Sequence, residues 1–185
     1  PSLLDDDVPP VPPGFEYTTY NYSFYSFASN GDAILELART MYMDLEGYST
    51  YDPSIADPYP VRLWSRMIDF DGMPLAEWKE LADFDSIARY NYMYAEWSGT
   101  YFGVCYEEPF NTIKFLILYS NGEPAVAPID LFWYIPPNEN EDQPCNVVAI
   151  DDDTFIVILG VKAAPPQAYA NGLWATRVDV NFPIE

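Results

Sequence analysis

The sequence has no histidine and only eight lysines and arginines. Without imidazole, Ser-His-Asp and Cys-His catalysis and imidazole-bound zinc are excluded. The cations, Arg39, Arg62, Arg66, Lys79, Arg89, Lys114, Lys162 and Arg177, are scattered. A nucleic-acid ligand calls for a positive surface that displaces counterions from phosphate, so little direct nucleic-acid contact is expected. The nine glycines are dispersed, with neither G-x-G-x-x-G nor G-K-[ST] among them, which leaves no phosphate-cradling loop. No apolar run approaches the ~20 residues that span a bilayer. There are two cysteines, Cys105 and Cys145, and no cation adjoins either in sequence to lower a thiol pKa. A disulfide between them would close a loop of about 40 residues and add on the order of 3–4 kcal/mol; two free, buried thiols are an equally good reading. The chain opens on Pro1, not Met, and shows no signal-peptide pattern, which reads as a processed or trimmed start.

What is present is acid, aromatic surface and proline. The 185 residues fit one domain. Twenty-nine acids against those eight bases give a net charge of −21. Such acidity favours solubility or a partner with basic patches. Sixteen Tyr, 11 Phe and 5 Trp favour strands and large buried contacts. Eighteen prolines, which helix interiors and central strands reject, imply short elements joined by fixed turns.

Residues 1–13, PSLLDDDVPPVPP, carry no periodicity and read as an extended, Pro-rich arm ahead of a single domain over 14–185. The aromatic stretch 15–27 predicts a strand. After Asn30-Gly31-Asp32, the offsets of Ile34, Leu35, Ala38, Met41, Tyr42 and Leu45 predict a helix capped by Asn30 or Asp32 and stopped at Gly47. Residues 48–61 read as loop and 62–70 as a strand. Pro74 followed by LAEWKELA predicts a short helix. The second half is more regular. Strands are predicted at 89–97 and 100–106 around Ser98-Gly99. The run 113–119, IKFLILY, predicts a strand covered on both faces, and Asn121-Gly122 a hairpin turn. Further strands are predicted at 129–135, 146–150 and 154–161. A final strand alternates Trp174, Thr176, Val178, Val180 and Phe182 against Ala175, Arg177, Asp179 and Asn181. About eight strands and two helices point to an antiparallel sandwich or barrel. No repeat of fixed period is visible.

No constellation commits to chemistry, so no catalytic residue, cofactor or metal site is expected and the chain reads as a non-enzyme. Among 29 acids, chance carboxylate pairs are certain, so a glycosidase-like pair is not discriminated. Asp151-Asp152-Asp153 offers oxygen ligands to calcium but lacks the spacing of a helix-loop-helix calcium loop; a turn, where Asp is favoured anyway, is the preferred reading. Asp5-Asp6-Asp7 reads as a solvated tail. The sequon Asn21-Tyr22-Ser23 reads as a chance occurrence. Trp64, Trp97, Trp133 and Trp174 within strand patterns, and Trp78 within the helical one, read as core, although aromatic faces also serve carbohydrate binders.

Residues 84–106, FDSIARYNYMYAEWSGTYFGVCY, place Tyr90, Tyr92 and Tyr94 ahead of Trp97-Ser98-Gly99, and upstream Gly31-Asp32 precedes Leu37-Ala38-Arg39. In order and spacing this resembles the capsid proteins of picorna-like viruses of the dicistrovirus and marine RNA virus type, in which Tyr-rich strand residues lead into a Trp-Arg-Gly step. The closing stretch 173–182 is similar to the last strand of such domains. Ser98 stands in place of the arginine of that step, and Leu37 in place of a serine. The resemblance implies an eight-stranded antiparallel jelly-roll β-sandwich with one or two short helices. It also implies a structural role in a virion, packing with sister capsid subunits into an icosahedral shell around single-stranded RNA. The alternative expectation is a secreted, extracellular β-sandwich or β-barrel module that binds carbohydrate or a small apolar ligand.

Overall fold

The computed structural model describes residues 8–11, 13, 15–17, 24–44, 59–86, 93–108, 112–132, 145–161 and 172–180. They form twelve strands. The first sheet holds β1 (Phe15–Tyr17), β2 (Phe24–Ser29), β3 (Ile34–Asp44), β4 (Tyr59–Ile68) and β5 (Lys79–Ser86). The second holds β6 (Met93–Trp97), β7 (Phe102–Glu108), β8 (Thr112–Leu118) and β9 (Ile129–Phe132). The third holds β10 (Cys145–Asp151), β11 (Thr154–Val161) and β12 (Gly172–Asp179). Every pairing is antiparallel, and every strand pairs with its neighbour in the chain except β1, which shares with β2 the outer edge of β3.

The three sheets share one meander: four strands in the second, the same four with β1 added in the first, and three described strands in the third. In the first, Leu35 pairs with Met67 and Leu37 with Ser65; in the second, Gly103 pairs with Ile117 and Cys105 with Phe115; in the third, Ile156 pairs with Arg177 and Ile158 with Ala175. The turns repeat as well. Gly72 and Gly122 both take positive φ, at 82° and 79°. Pro74 bridges to Ile68 as Pro124 does to Leu118. The Leu75 N–H donates to the Met67 carbonyl as Ala125 does to Ile117, each at 2.8 Å. Even the register shifts coincide, falling between Leu63 and Trp64 in one sheet and between Ile113 and Lys114 in the next. Gly72-Met73-Pro74 and Gly122-Glu123-Pro124 recur at equivalent turns, but the first hairpin turns, at Asn30, Ser98 and Asp151, are unequally spaced. No single period therefore runs through the three sheets, and the full repeat shows in the hydrogen-bond pattern.

The sheets stack face to face with the second in the middle. Alternation along a strand sends successive side chains to opposite faces. Phe102, Val104, Tyr106, Leu116 and Leu118 accordingly meet Leu35, Leu37, Leu63 and Met67 of the first sheet. On the other face Cys105, Phe115 and Ile117 meet Cys145, Val147, Phe155, Val157 and Leu159 of the third. The apolar run 113–118 is thus a strand buried on both sides, as its composition predicts, while Tyr119 lies past its end and is exposed. Burying one such side chain contributes about 1.5–3 kcal/mol, so these two interfaces are the core of the protein. The backbones come closest at the leading strands, β2 beside β6 and β6 beside β10, so the sheets fan outward from that edge.

Three expectations are corrected. Residues 34–44 are a strand, not a helix. The offsets that fit a helical period also contain Leu35 and Leu37, which fit period two, and both are fully buried against the second sheet; tertiary contact decided between the two. The segment LAEWKELA is no helix either. Pro74 closes a hairpin turn, and the chain re-enters the sheet as β5 at Lys79. No helix is present among the described residues. Finally, the eight strands of a jelly roll are replaced by twelve in three chain-local meanders. A Greek key brings a strand back beside one distant in sequence by a long connection, and no such pairing occurs among the described strands.

Candidate functional site

The first and second sheets put their first and third turns at the same end of the stack, because β4 antiparallel to β3 brings Ile68 beside Ile34, and the β10–β11 turn of the third sheet joins them there. That end is a polar rim whose turns are built alike. In the first hairpin the Asn30 side-chain oxygen accepts the N–H groups of Asp32 and Ala33, at 3.0 and 2.8 Å. In the second, the Ser98 hydroxyl accepts those of Thr100 and Tyr101, at 3.2 and 3.0 Å. In the third, Asp151 accepts the Asp153 N–H at 3.1 Å. Asp69 accepts from Asp71 and Met73 at 2.9 and 2.8 Å, and Asn121 from Glu123 at 3.0 Å. Small polar side chains suit such turns because they satisfy backbone donors that the strand ladder leaves over.

The turns are also tied to one another across the sheets. The Asn30 side-chain amide donates to the Ser120 carbonyl at 3.2 Å, and the Ser98 hydroxyl to the Asp152 carbonyl at 2.6 Å. The Ser65 hydroxyl donates to the Gly122 carbonyl at 3.4 Å, and Lys79 pairs with Glu123. Gly99 lies against Asp152 so closely that a β-carbon there would sit 2.3 Å from Oδ1. Gly122, at positive φ, packs on Met67 and Leu35.

The rim carries Asp32, Asp71, Glu123, Asp151, Asp152 and Asp153 exposed, with Asp69 half-buried. The Asp153 N–H, then the Thr154 hydroxyl, hold the Asp151 carboxyl below the usual carboxylate range. The hydrogen bond and charge of Lys79 do the same for Glu123. Both therefore stay ionised well into mildly acidic conditions. Asp151-Asp152-Asp153 is the β10–β11 turn, as its composition suggests, with the Asp151 oxygens engaged by the turn itself. Among the described residues no group of three or more acidic or cysteine side chains is arranged to hold a metal ion. Beside the rim, Ser65, Arg66, Met67, Ala76, Glu77, Lys79, Asn121, Gly122 and Glu123 line a groove of about 200 Å³. Small-molecule pockets run about 300–1,000 Å³, so this groove is undersized, and no tryptophan or tyrosine lines it.

The tryptophans are structural where they are described. Trp64 is buried and its indole N–H donates to the Thr40 hydroxyl at 2.9 Å. The Arg66 guanidinium lies 4.2 Å from the Trp78 ring centroid and is paired with Glu36 at 2.6 Å in a buried salt bridge. Trp97 packs on Phe102 with centroids 4.6 Å apart. The Trp133 position and the Trp174 side chain lie outside the described residues, as do Asp5-Asp6-Asp7, the Asn21 sequon and all of the expected arm but 8–11 and 13. Cys105 and Cys145 are buried thiols not joined in a disulfide, and they face each other between the second and third sheets. Their mutual contact and their burial push the Cys145 thiol far above its ordinary pKa. Sequence reasoning missed the rim because its carboxylates come from separate turns, and only the Asp151–Asp153 portion is contiguous. The recurring Asn-Gly, Asp-Gly and Ser-Gly steps were the available signal.

No protein family, curated protein or solved structure matches the chain. No helix among the described residues is long and apolar enough to cross a membrane.

Proposed function

We propose that the chain is a non-catalytic binding module built from blades of β-propeller type, and that its acidic turn rim meets a cationic partner. Propeller blades are four-stranded antiparallel meanders; the second sheet is one, the first contains one with β1 added, and the third has three described strands of the same order, all packed face to face with leading strands together. The observation that carries the reading is the rim itself. Its turns are cross-linked from sheet to sheet by Asn30, Ser98, Ser65 and Lys79, so the exposed carboxylates are held in fixed positions. A preorganised anionic surface on a chain of net charge −21 recruits a basic peptide or protein surface by long-range attraction. The groove beside the rim is undersized for a sugar or small apolar ligand, so the exposed carboxylates of the rim itself are the surface offered to a partner. The shell reading draws less support, since a Greek key pairs strands distant in sequence whereas the described strands here pair within chain-local meanders.

The test is calorimetric titration with a lysine decapeptide at low and high salt. Binding is expected at low salt and should weaken as salt rises. Combining Asp32→Asn, Asp71→Asn and Asp152→Asn should weaken it at least tenfold. The same loss of charge on the outer strands, through Glu80→Gln, Asp83→Asn and Asp130→Asn, should leave it nearly unchanged. Equal losses from both sets would mean that only net charge matters and would refute the rim as the site.

A further inference from the structure

Cys105 and Cys145 take no part in the rim, yet they meet in the core. Cys105 lies within β7 and pairs with Tyr94 and Phe115, whereas Cys145 opens β10 and pairs with Leu159. They therefore belong to different sheets and approach from facing sides of one interface, packed among Phe115, Val147, Phe155 and Val157. Both are fully buried, and the two thiols are in hydrogen-bond contact.

The backbones around them are unusually near. Facing sheets ordinarily lie about 10 Å apart, but β7 and β10 bring Cα atoms within 8 Å of each other. Gly103, two residues before Cys105 on the same face, permits this, because without a side chain it lets Phe155 lie directly against the β7 backbone. A disulfide needs Cα atoms about 4.4–6.8 Å apart and side chains directed at each other. The thiol contact supplies the second condition, and the narrowed interface brings the first within a small adjustment. The Ser98–Asp152 hydrogen bond ties these two sheets at the rim. Cys145 stands at the far end of β10 from that tie, so a covalent bond there would fasten the interface at its other end.

We infer that Cys105 and Cys145 are a cross-linking site that closes into a disulfide between the second and third sheets as the chain folds, with a small-molecule disulfide such as glutathione disulfide as the oxidant. The inference rests on the packing of these sheets and is independent of the rim's ligand. In the unfolded chain one cysteine, as thiolate, attacks glutathione disulfide, forming a mixed disulfide and releasing one glutathione thiolate. As the sheets meet, the second cysteine thiolate attacks the protein sulfur of that mixed disulfide and releases the other glutathione. Two electrons pass from the cysteines to the glutathione disulfide, and the two protons that the cysteines lose end on the two glutathiones. Once the interface has closed, burial keeps oxidant and reductant alike from the sulfurs. The native chain therefore keeps whichever state it folded in.

The experiment refolds the denatured full chain with glutathione disulfide or with dithiothreitol and compares the products by intact mass, peptide mapping and thermal melting. The glutathione product is expected to be a monomer lighter by about 2 Da, the two hydrogens lost, with the Cys105 and Cys145 peptides joined. Closing a loop of about 40 residues should raise its Tm by about 6–16 °C over the dithiol form. The native dithiol form, given the same glutathione disulfide, should keep its mass until denaturant is added. Cys145→Ala should melt at one temperature after either refolding. Refolding that yields only glutathione adducts or cross-linked dimers overturns the inference, as does a bridged chain that melts below the dithiol form. A native dithiol oxidised as fast as the unfolded chain, or a glutathione-dependent rise in Tm that persists in Cys145→Ala, overturns it too.

Discussion

A single methyl group at Gly103 should measure how tightly the second and third sheets are packed. A β-carbon there would sit 2.6 and 2.7 Å from Cε1 and Cδ1 of Phe155 and 2.8 Å from Cζ of Phe115. Both rings are fully buried, and they meet edge to face with centroids 5.5 Å apart. Neither can swing into solvent, so Gly103→Ala must push rings or sheets apart by several tenths of an ångström. Overpacking of this kind costs about 1–3 kcal/mol. The opposing gain, from replacing glycine within a strand, is about 0.5–1 kcal/mol. The clash wins, with a net loss of about 1–2 kcal/mol, and at this chain length that lowers Tm by about 2–8 °C. Scanning calorimetry reads the shift. Phe155→Leu, which shortens the obstructing side chain, should cost less when added to Gly103→Ala than it does alone, a coupling typical of residues in contact. Gly31→Ala is the control. Nothing lies within 4 Å of that position, and only its φ of +92° is strained, so its cost should not depend on Phe155. An unchanged or raised Tm for Gly103→Ala, or strict additivity with Phe155→Leu, would refute the packing of these two sheets.

Three other perturbations bear on the core and the rim. Glu36→Ala removes the carboxylate that faces Arg66 in a buried pair and should destabilise by about 3 kcal/mol in urea unfolding; a change under about 0.5 kcal/mol would show that the pair is dispensable. Cys105 and Cys145 should resist thiol reagents until the chain unfolds. The folded pKa of Cys145 lies above its unfolded value, so its contribution is intact below about pH 8.5 and declines by about 1.4 kcal/mol per pH unit above it; rapid labelling of the native protein would contradict this. Asp151, held ionised by its turn, should titrate below an ordinary aspartate in an NMR pH series, and Thr154→Val should raise its midpoint. The turn interaction is then present above the unfolded aspartate pKa of about 3.9 and lost as pH falls through the depressed value. An unshifted midpoint would remove Asp151 from that turn network.

Much of the β-structure was legible in residue pattern. The last strand shows this best: Val178 and Val180 turn inward, while Ala175, Arg177 and Asp179 are exposed, as strict alternation requires. The run around Phe115 announced burial on both faces, and Asn121-Gly122 announced its turn. Where pattern failed, two periods fitted the same residues. Ile34 to Leu45 satisfied a helical spacing as well as an alternating one, and Leu75 to Ala82 had a helix-like start at Pro74. The rim was half legible. Asp151-Asp152-Asp153 could be read as a turn, but its nearness to Ser98 and Gly99 could not, because over fifty residues separate them.

By itself the sequence determined the chemistry available: no imidazole, few cations, excess carboxylate, and aromatic side chains spaced for strands. These are properties of residue type and short-range pattern, which local sterics and solvation act on directly. Tertiary structure alone decided that the strands form three stacked meanders and that separate turns share one rim. Those features depend on which faces meet across long stretches of chain. Hydrophobic burial selects such meetings by area and shape rather than by any local motif.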